Sequence, residues 1–384
     1  MPATAEPIGA AESRDAGALP GIDAHPHARA VLGPALPPRG NPSHAYLFHG
    51  PAGTGKRTIA RAFAAALLAD GAADPQGVRE RVGRDAHPDL TWVTPSGAAE
   101  MLVSDVEEPV VAAAARTPFE SSRRVFVIEG VDTMNDQAAN RMLKTLEEPP
   151  SFAHLLLLTD RREDVLATIA SRCQQVRFDP LPSRRVAERL EGVAGDHAQA
   201  CARLAAGSAR LAARLAGEEG GALRASAEDF VRSALAGSTA GRPWMGLLEL
   251  AKAAGVGAAE REQERMASEL ELLPSRERRR YERERMEASR RGERRVRTQT
   301  LDLALRLAEL WLRDILCICE GAPELVYAVD RRAELEHDAR GSDGARLREG
   351  IEAIGDSRLS LSLNVSEELA LEALAYRLQA LLAP

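Results

Sequence analysis

Residues 46–68 read YLFHGPAGTGKRTIARAFAAALL, and their reading decides the fold. A short apolar run leads into G-x-x-x-x-G-K at Gly50–Lys56, and a helical pattern follows over 57–68. Strand, glycine-rich loop and helix in that order make a phosphate-binding loop, a far more specific signal than the glycines alone. Gly50, Gly53 and Gly55 let the backbone turn tightly enough to aim N–H groups at phosphate oxygens, with Pro51, Ala52 and Thr54 between them. Lys56 supplies a point charge, and the helix adds the positive end of its dipole. The next position should carry the hydroxyl that holds Mg²⁺, and it is Arg57. Thr58 is no substitute, because one step along a helix turns a side chain by about 100°. Arg57 is read as a solvated helix residue in preference to a phosphate ligand.

Working outward, four more strand-like runs follow: DLTWVTP (89–95), RRVFVIEG (123–130), HLLLLTD (154–160) and QQVRF (174–178). They alternate with helical patterns, notably QAANRMLKTLEE (137–148), which Pro149 and Pro150 end. Apolar strand interiors between helices predict a parallel α/β sheet covered on both faces. In VFVIEGVD (125–132), Glu129 stands where a carboxylate would hold Mg²⁺. The neighbouring position, where a carboxylate would activate water, is Gly130, and Asp132 falls in the expected turn. The phosphate cradle is kept and the chemistry is damaged.

Beyond residue 180 the pattern is helical only. The expected divisions are a disordered tail at 1–20, an α/β domain at 21–180, a small helical lid at 181–222 and an all-α bundle at 223–384. LDLALRLAELWLRDIL (301–316) puts Leu303, Leu307, Leu310, Trp311 and Ile315 on one stripe. Asn364 with Glu367 reads as a capping box before Leu371, Leu374, Leu378 and Leu381. A charged insertion is expected over about 258–297. Within it, 276–297 holds eleven Arg against five Glu, read as a salt-bridged solvated helix or a flexible insertion in preference to a DNA contact.

The 384 residues carry a net charge of −7, which argues against a generally basic nucleic-acid coat. Four cysteines without C-x-x-C pairs fit a reduced cytoplasmic protein, and no apolar run is long enough to span a bilayer.

QAANRMLKTLEEPPSFAHLLLLTD followed by ATIASRCQQVRF resembles the clamp-loader ATPases of bacterial DNA polymerase III, which are AAA+ proteins. The resemblance is dense over about 44–180, continues through the lid and is faint in the C-terminal bundle. It implies an AAA+ sheet domain, a lid and a helical collar. It also implies partners: tau/gamma- and delta-type subunits, with the sliding clamp and primed DNA in the assembled complex, and no membrane. Arg172 matches the arginine finger inserted into a neighbour's ATP site, a task suited to a planar, always-charged fork. Read alone, Arg172 is equally consistent with a local carboxylate pair. Thr159 matches the residue that senses the γ-phosphate, and Arg210 the lid's second sensor, against the plainer alternatives of a strand-end threonine and a helix-surface charge. Leu143 and Leu146 are core positions. Many relatives carry a four-cysteine zinc module near 70–90, but this stretch has only His87, so no zinc is expected.

Together these features imply a structural, non-hydrolysing subunit that binds ATP weakly with little dependence on Mg²⁺. It would carry no polymerase chemistry of its own. The alternative is an ATP-hydrolysing motor subunit of the tau/gamma type.

Overall fold

The computed structural model describes residues 19–97, 100–190, 192–272, 275–362 and 365–383. The chain divides after Leu181 into two compact units. Among the described residues, the first holds five parallel strands: β1 (Ala45–His49), β2 (Leu90–Val93), β3 (Arg124–Glu129), β4 (Ala153–Thr159) and β5 (Gln174–Arg177). Their order across the sheet is β2-β3-β4-β1-β5, the parallel α/β architecture expected.

Strand periodicity assigns each side chain to a face. Tyr46, Phe48, Val125, Val127, Leu156 and Leu158 point to one face, where the helix Lys56–Leu68 buries Ile59, Phe63 and Leu67 against them. Leu47, Phe126, Ile128, Leu155 and Leu157 point to the other, under Met142 and Leu146 of the helix Asp136–Glu147. That helix starts cleanly because the Asn135 side chain accepts the Ala138 amide at 2.9 Å. Each fully buried Leu or Phe contributes roughly 1.5–3 kcal/mol, so the two layers pin the register. In that register His49 pairs with Thr159 and Glu129 with Leu158, bringing the loop after β1 and the ends of β3 and β4 together. Ligands of parallel sheets bind at this carboxyl edge.

Residues 1–18 of the expected tail lie outside the described residues, and Leu19 is fully buried against this core. In the stretch expected to lack zinc, buried Asp89 holds the chain by accepting amides of Phe119, Glu120 and Ser121 at 2.6, 3.0 and 2.9 Å.

The second unit is helical throughout its described residues. A single buried cluster runs from Cys201 and Leu204 through Phe230, Trp244 and Trp311 to Leu378, so the lid helices share the collar's core. Helices Trp244–Leu272 and Ser275–Cys319 form a long hairpin; the second has 45 residues. The Arg-rich stretch is therefore continuous helix, and Arg285 reaches Glu262 across the hairpin at 3.2 Å.

Two expectations change here. Leu303 and Leu310 are only half-buried, whereas Leu301, Ala304, Leu305, Ala308 and Leu312 join Leu307, Trp311 and Ile315 in the core. Helices pack this one from several sides, so it buries more than one stripe. Asn364 lies outside the described residues; the last helix opens at Glu367 with Ser366 at its N-cap and no side-chain cap. Among the described residues, no helix is long and apolar enough to cross a membrane.

Candidate functional site

The phosphate loop leaves β1 through Gly50, whose φ of +139° and tight surroundings demand glycine. A Cβ there would stand 2.0 Å from the Phe178 carbonyl oxygen. Gly53 and Gly55 also have positive φ, and Gly55 caps the following helix. The amides of Gly55, Lys56 and Arg57 donate to no backbone acceptor among the described residues, as the first turn of a helix leaves them, and that of Gly53 in the loop before it donates to none either. Lys56 is buried. Its ammonium donates to the carbonyl of Gly50 and, at 2.7 Å, to that of Pro51, and lies 2.7 Å from Asp160 Oδ1. Burial pulls its pKa down, and Asp160 opposes this. The Thr54 hydroxyl braces the loop by donating to Pro51 at 2.9 Å. Pro51, Ala52 and Thr58 are exposed.

The metal position reads differently from the sequence. Arg57 does not simply project into solvent: its Nε lies 2.9 Å from Glu129 Oε1. The Arg57 side chain is 54% exposed, but the carboxylate it holds is only 17% exposed. Glu129 also accepts the indole N–H of Trp92. The guanidinium groups of Arg57 and Arg61 sit 5.9 and 4.4 Å from the Trp92 ring centre, within cation–π range. Burial pushes the Glu129 carboxyl up, and Arg57 and Trp92 counter it. The pairing has a simple cause: a largely buried carboxylate takes the nearest cation as its partner, while Arg57 itself stays exposed.

Gly130 has φ +65° and ψ 38°, the left-handed region, and a Cβ there would meet Pro95 Cγ at 3.0 Å. Asp132 lies in the turn Val131–Thr133, as expected, yet its carboxylate turns back to the sheet edge. It is 2.8 Å from the buried Thr159 hydroxyl and 3.3 Å from the Arg161 guanidinium. Thr159 thus stands beside the loop with its hydroxyl engaged by protein.

Arg172 follows the short helix Ala167–Ala170. Its guanidinium pairs with Glu147 of the LEEPP stretch at 2.5 Å and donates to the Thr168 carbonyl at 3.0 Å. Arg210 is exposed in the first turn of the helix Ala209–Ala216, in the second unit.

The first unit therefore brings together the loop, Glu129, Asp132 and Thr159. Sequence reasoning missed Asp160 and Trp92. Asp160 closes the quoted strand HLLLLTD and Trp92 sits mid-strand in DLTWVTP; a charge leaving a buried strand was the available signal for the first.

As a donor set the loop fits a phosphate group. A divalent cation does not fit: the hydroxyl is missing, the carboxylate is held by Arg57, and no group of three His, Cys, Asp or Glu suited to a metal exists among the described residues.

The family described as DNA polymerase III, delta subunit, matches residues 37–182, which contain the loop, the sheet and Arg172. Over this span, 146 of the 384 residues, the chain is similar to that family. It is 36% identical over 154 residues to DNA polymerase III subunit delta' of Bacillus subtilis, covering 38% of this chain and 46% of the relative. Against the Pseudomonas aeruginosa delta' subunit it is 33% identical over 215 residues, covering 53% of this chain and 65% of that one. Bacillus subtilis subunit tau is 31% identical over 159 residues, with 39% of this chain and 27% of tau covered. The matches span about half to two thirds of these delta' relatives' own length.

Proposed function

We propose that the chain is a structural subunit of a DNA polymerase III clamp loader. It completes the AAA+ ring with tau/gamma- and delta-type subunits, helps load the sliding clamp on primed DNA in the cytoplasm, and supplies Arg172 to a neighbour's ATP site. Its own site holds nucleotide without hydrolysing it. The observation that carries this reading is the Arg57–Glu129 pair next to Gly130. One residue occupies the carboxylate a metal would need, and the other cannot place a base. The delta' and tau relatives support a place in a DNA polymerase III clamp loader. A tau-type motor needs a free metal site, which Arg57 closes.

The isolated chain should release no phosphate from ATP above background, measured over hours by a coupled assay. Gly130→Glu should not create turnover, because Arg57 still holds Glu129. It should also cost about 1–3 kcal/mol of stability, since a side chain is forced into the left-handed region. Urea unfolding reads the second effect. Turnover by the unaltered chain at ordinary ATPase rates would make it a motor.

A further inference from the structure

Arg57 sits where a P-loop protein carries its metal-binding hydroxyl, and its guanidinium lies on the carboxylate that would complete the metal shell. We propose that Arg57 is a resident counter-cation, so that the loop takes a nucleoside polyphosphate without a divalent metal. This rests on residues 50–58 being a nucleotide cradle and is independent of Arg172.

Three features carry it. The contact to Glu129 is made through Nε at 2.9 Å and the Arg57 side chain is 54% exposed, so a guanidinium with five N–H donors has donors to offer beyond that contact. Arg is suited to this use because its planar fork meets phosphate oxygens in pairs. The guanidinium is also positioned before any ligand arrives. Trp92 donates to the same carboxylate, and its ring lies within cation–π distance of both Arg57 and Arg61. An exposed pair of free side chains would contribute almost nothing, but here one partner is largely buried and doubly held. Finally, charge is balanced without a metal: Lys56 faces Asp160, and Arg57 faces Glu129. Adding a divalent cation would have to expel a guanidinium from its carboxylate. Because both cations already have partners, a phosphate must compete for them, which keeps binding weak.

The test is calorimetric titration of the full chain with ATP and with ADP, in Mg²⁺ and in EDTA. The unaltered chain should bind both nucleotides with dissociation constants that chelation leaves unchanged within about twofold. Arg57→Thr should lose about tenfold in EDTA and regain affinity on adding Mg²⁺, since it restores the hydroxyl and frees Glu129. Arg57→Ala should lose affinity in both buffers without recovery. Mn²⁺ with ATP, followed by electron paramagnetic resonance, should give a bound signal with Arg57→Thr and none with the unaltered chain. A tenfold loss by the unaltered chain on chelation, a bound Mn²⁺ signal from it, unchanged affinity in Arg57→Ala, or no binding at millimolar nucleotide would each overturn the proposal. None of these outcomes bears on the role of Arg172.

Discussion

Replacing Arg172 by alanine should leave the chain folded and the complex assembled, while one ATP site of the reconstituted clamp loader falls silent. An arginine finger acting in trans contributes about 10³–10⁵ in rate, because it neutralises charge that develops only in the transition state. The loss should appear as reduced DNA-stimulated hydrolysis and slower clamp loading, with the remaining sites still active. The resting geometry bears on how the finger would be released. Arg172 pairs with Glu147, and the two side chains are 36% and 49% exposed. A pair this exposed contributes only about 0–1 kcal/mol, so giving it up to reach a neighbour's phosphate costs little. Glu147→Gln should consequently leave hydrolysis within about threefold of normal, a change of well under 1 kcal/mol. Arg172→Lys should restore only part of the rate, since an ammonium keeps the charge and loses the fork.

Lys56→Ala belongs in the same reconstitution as the contrasting variant. Lys56 ties the loop to itself through the Gly50 and Pro51 carbonyls and faces Asp160. Removing it should weaken nucleotide binding by this chain and cost the complex far less than Arg172→Ala. If Lys56→Ala proves the more damaging change, the chain is a motor subunit.

The sheet is legible in the amino-acid order because strands buried on both faces are near-continuous apolar runs, as in VFVIE and HLLLLT. The loop is legible because glycines with positive φ are hard to replace, and Gly50 cannot carry a Cβ at all. What escapes sequence reading is whatever joins distant positions. Arg57 reads as solvated on its own helix; only the parallel alignment of β1, β4 and β3 brings Glu129 beneath it. Trp92 enters through the pairing of β2 with β3. Asp132 is legible as a turn residue, but a turn's position does not say which way its carboxylate points. In the second unit the helical period identifies one apolar stripe, whereas packing from several sides buries Leu301, Leu305 and Leu312 as well.

Arg224→Met should destabilise the second unit by about 3–5 kcal/mol near pH 7, a large fraction of what holds a domain folded. Arg224 is 4% exposed. Its fork grips Asp330 through two bonds of 2.8 and 2.7 Å, and its Nε lies 2.9 Å from Glu228. Asp330 is also 2.8 Å from His197 Nδ1, so the cluster joins the helices Gly195–Leu204 and Glu218–Leu235 to the turn Val329–Arg331. Methionine keeps much of the volume and removes the charge, leaving largely buried carboxylates short of their cation. Acid distinguishes this from a packing loss. Burial alone would raise the Asp330 carboxyl, but the hydrogen bonds from Arg224 and His197 hold it below the usual range. Its folded pKa is therefore below its unfolded one, so its stabilisation is present above about pH 4 and is lost as pH falls through the folded value. Glu228 behaves oppositely: burial raises it, with Arg224 in opposition, so protonation on acidification favours the folded state. Without Arg224 both carboxyls rise, and the variant should gain stability as pH drops toward 5 relative to the unaltered chain. Urea unfolding followed by tryptophan fluorescence reads this, because Trp244 and Trp311 are buried in the second unit. The gap between variant and unaltered chain should narrow between pH 7 and pH 5, and Arg224→Lys should fall between them. A gap that stays constant with pH would assign the loss to packing and remove the ion cluster from the account of how this unit is held.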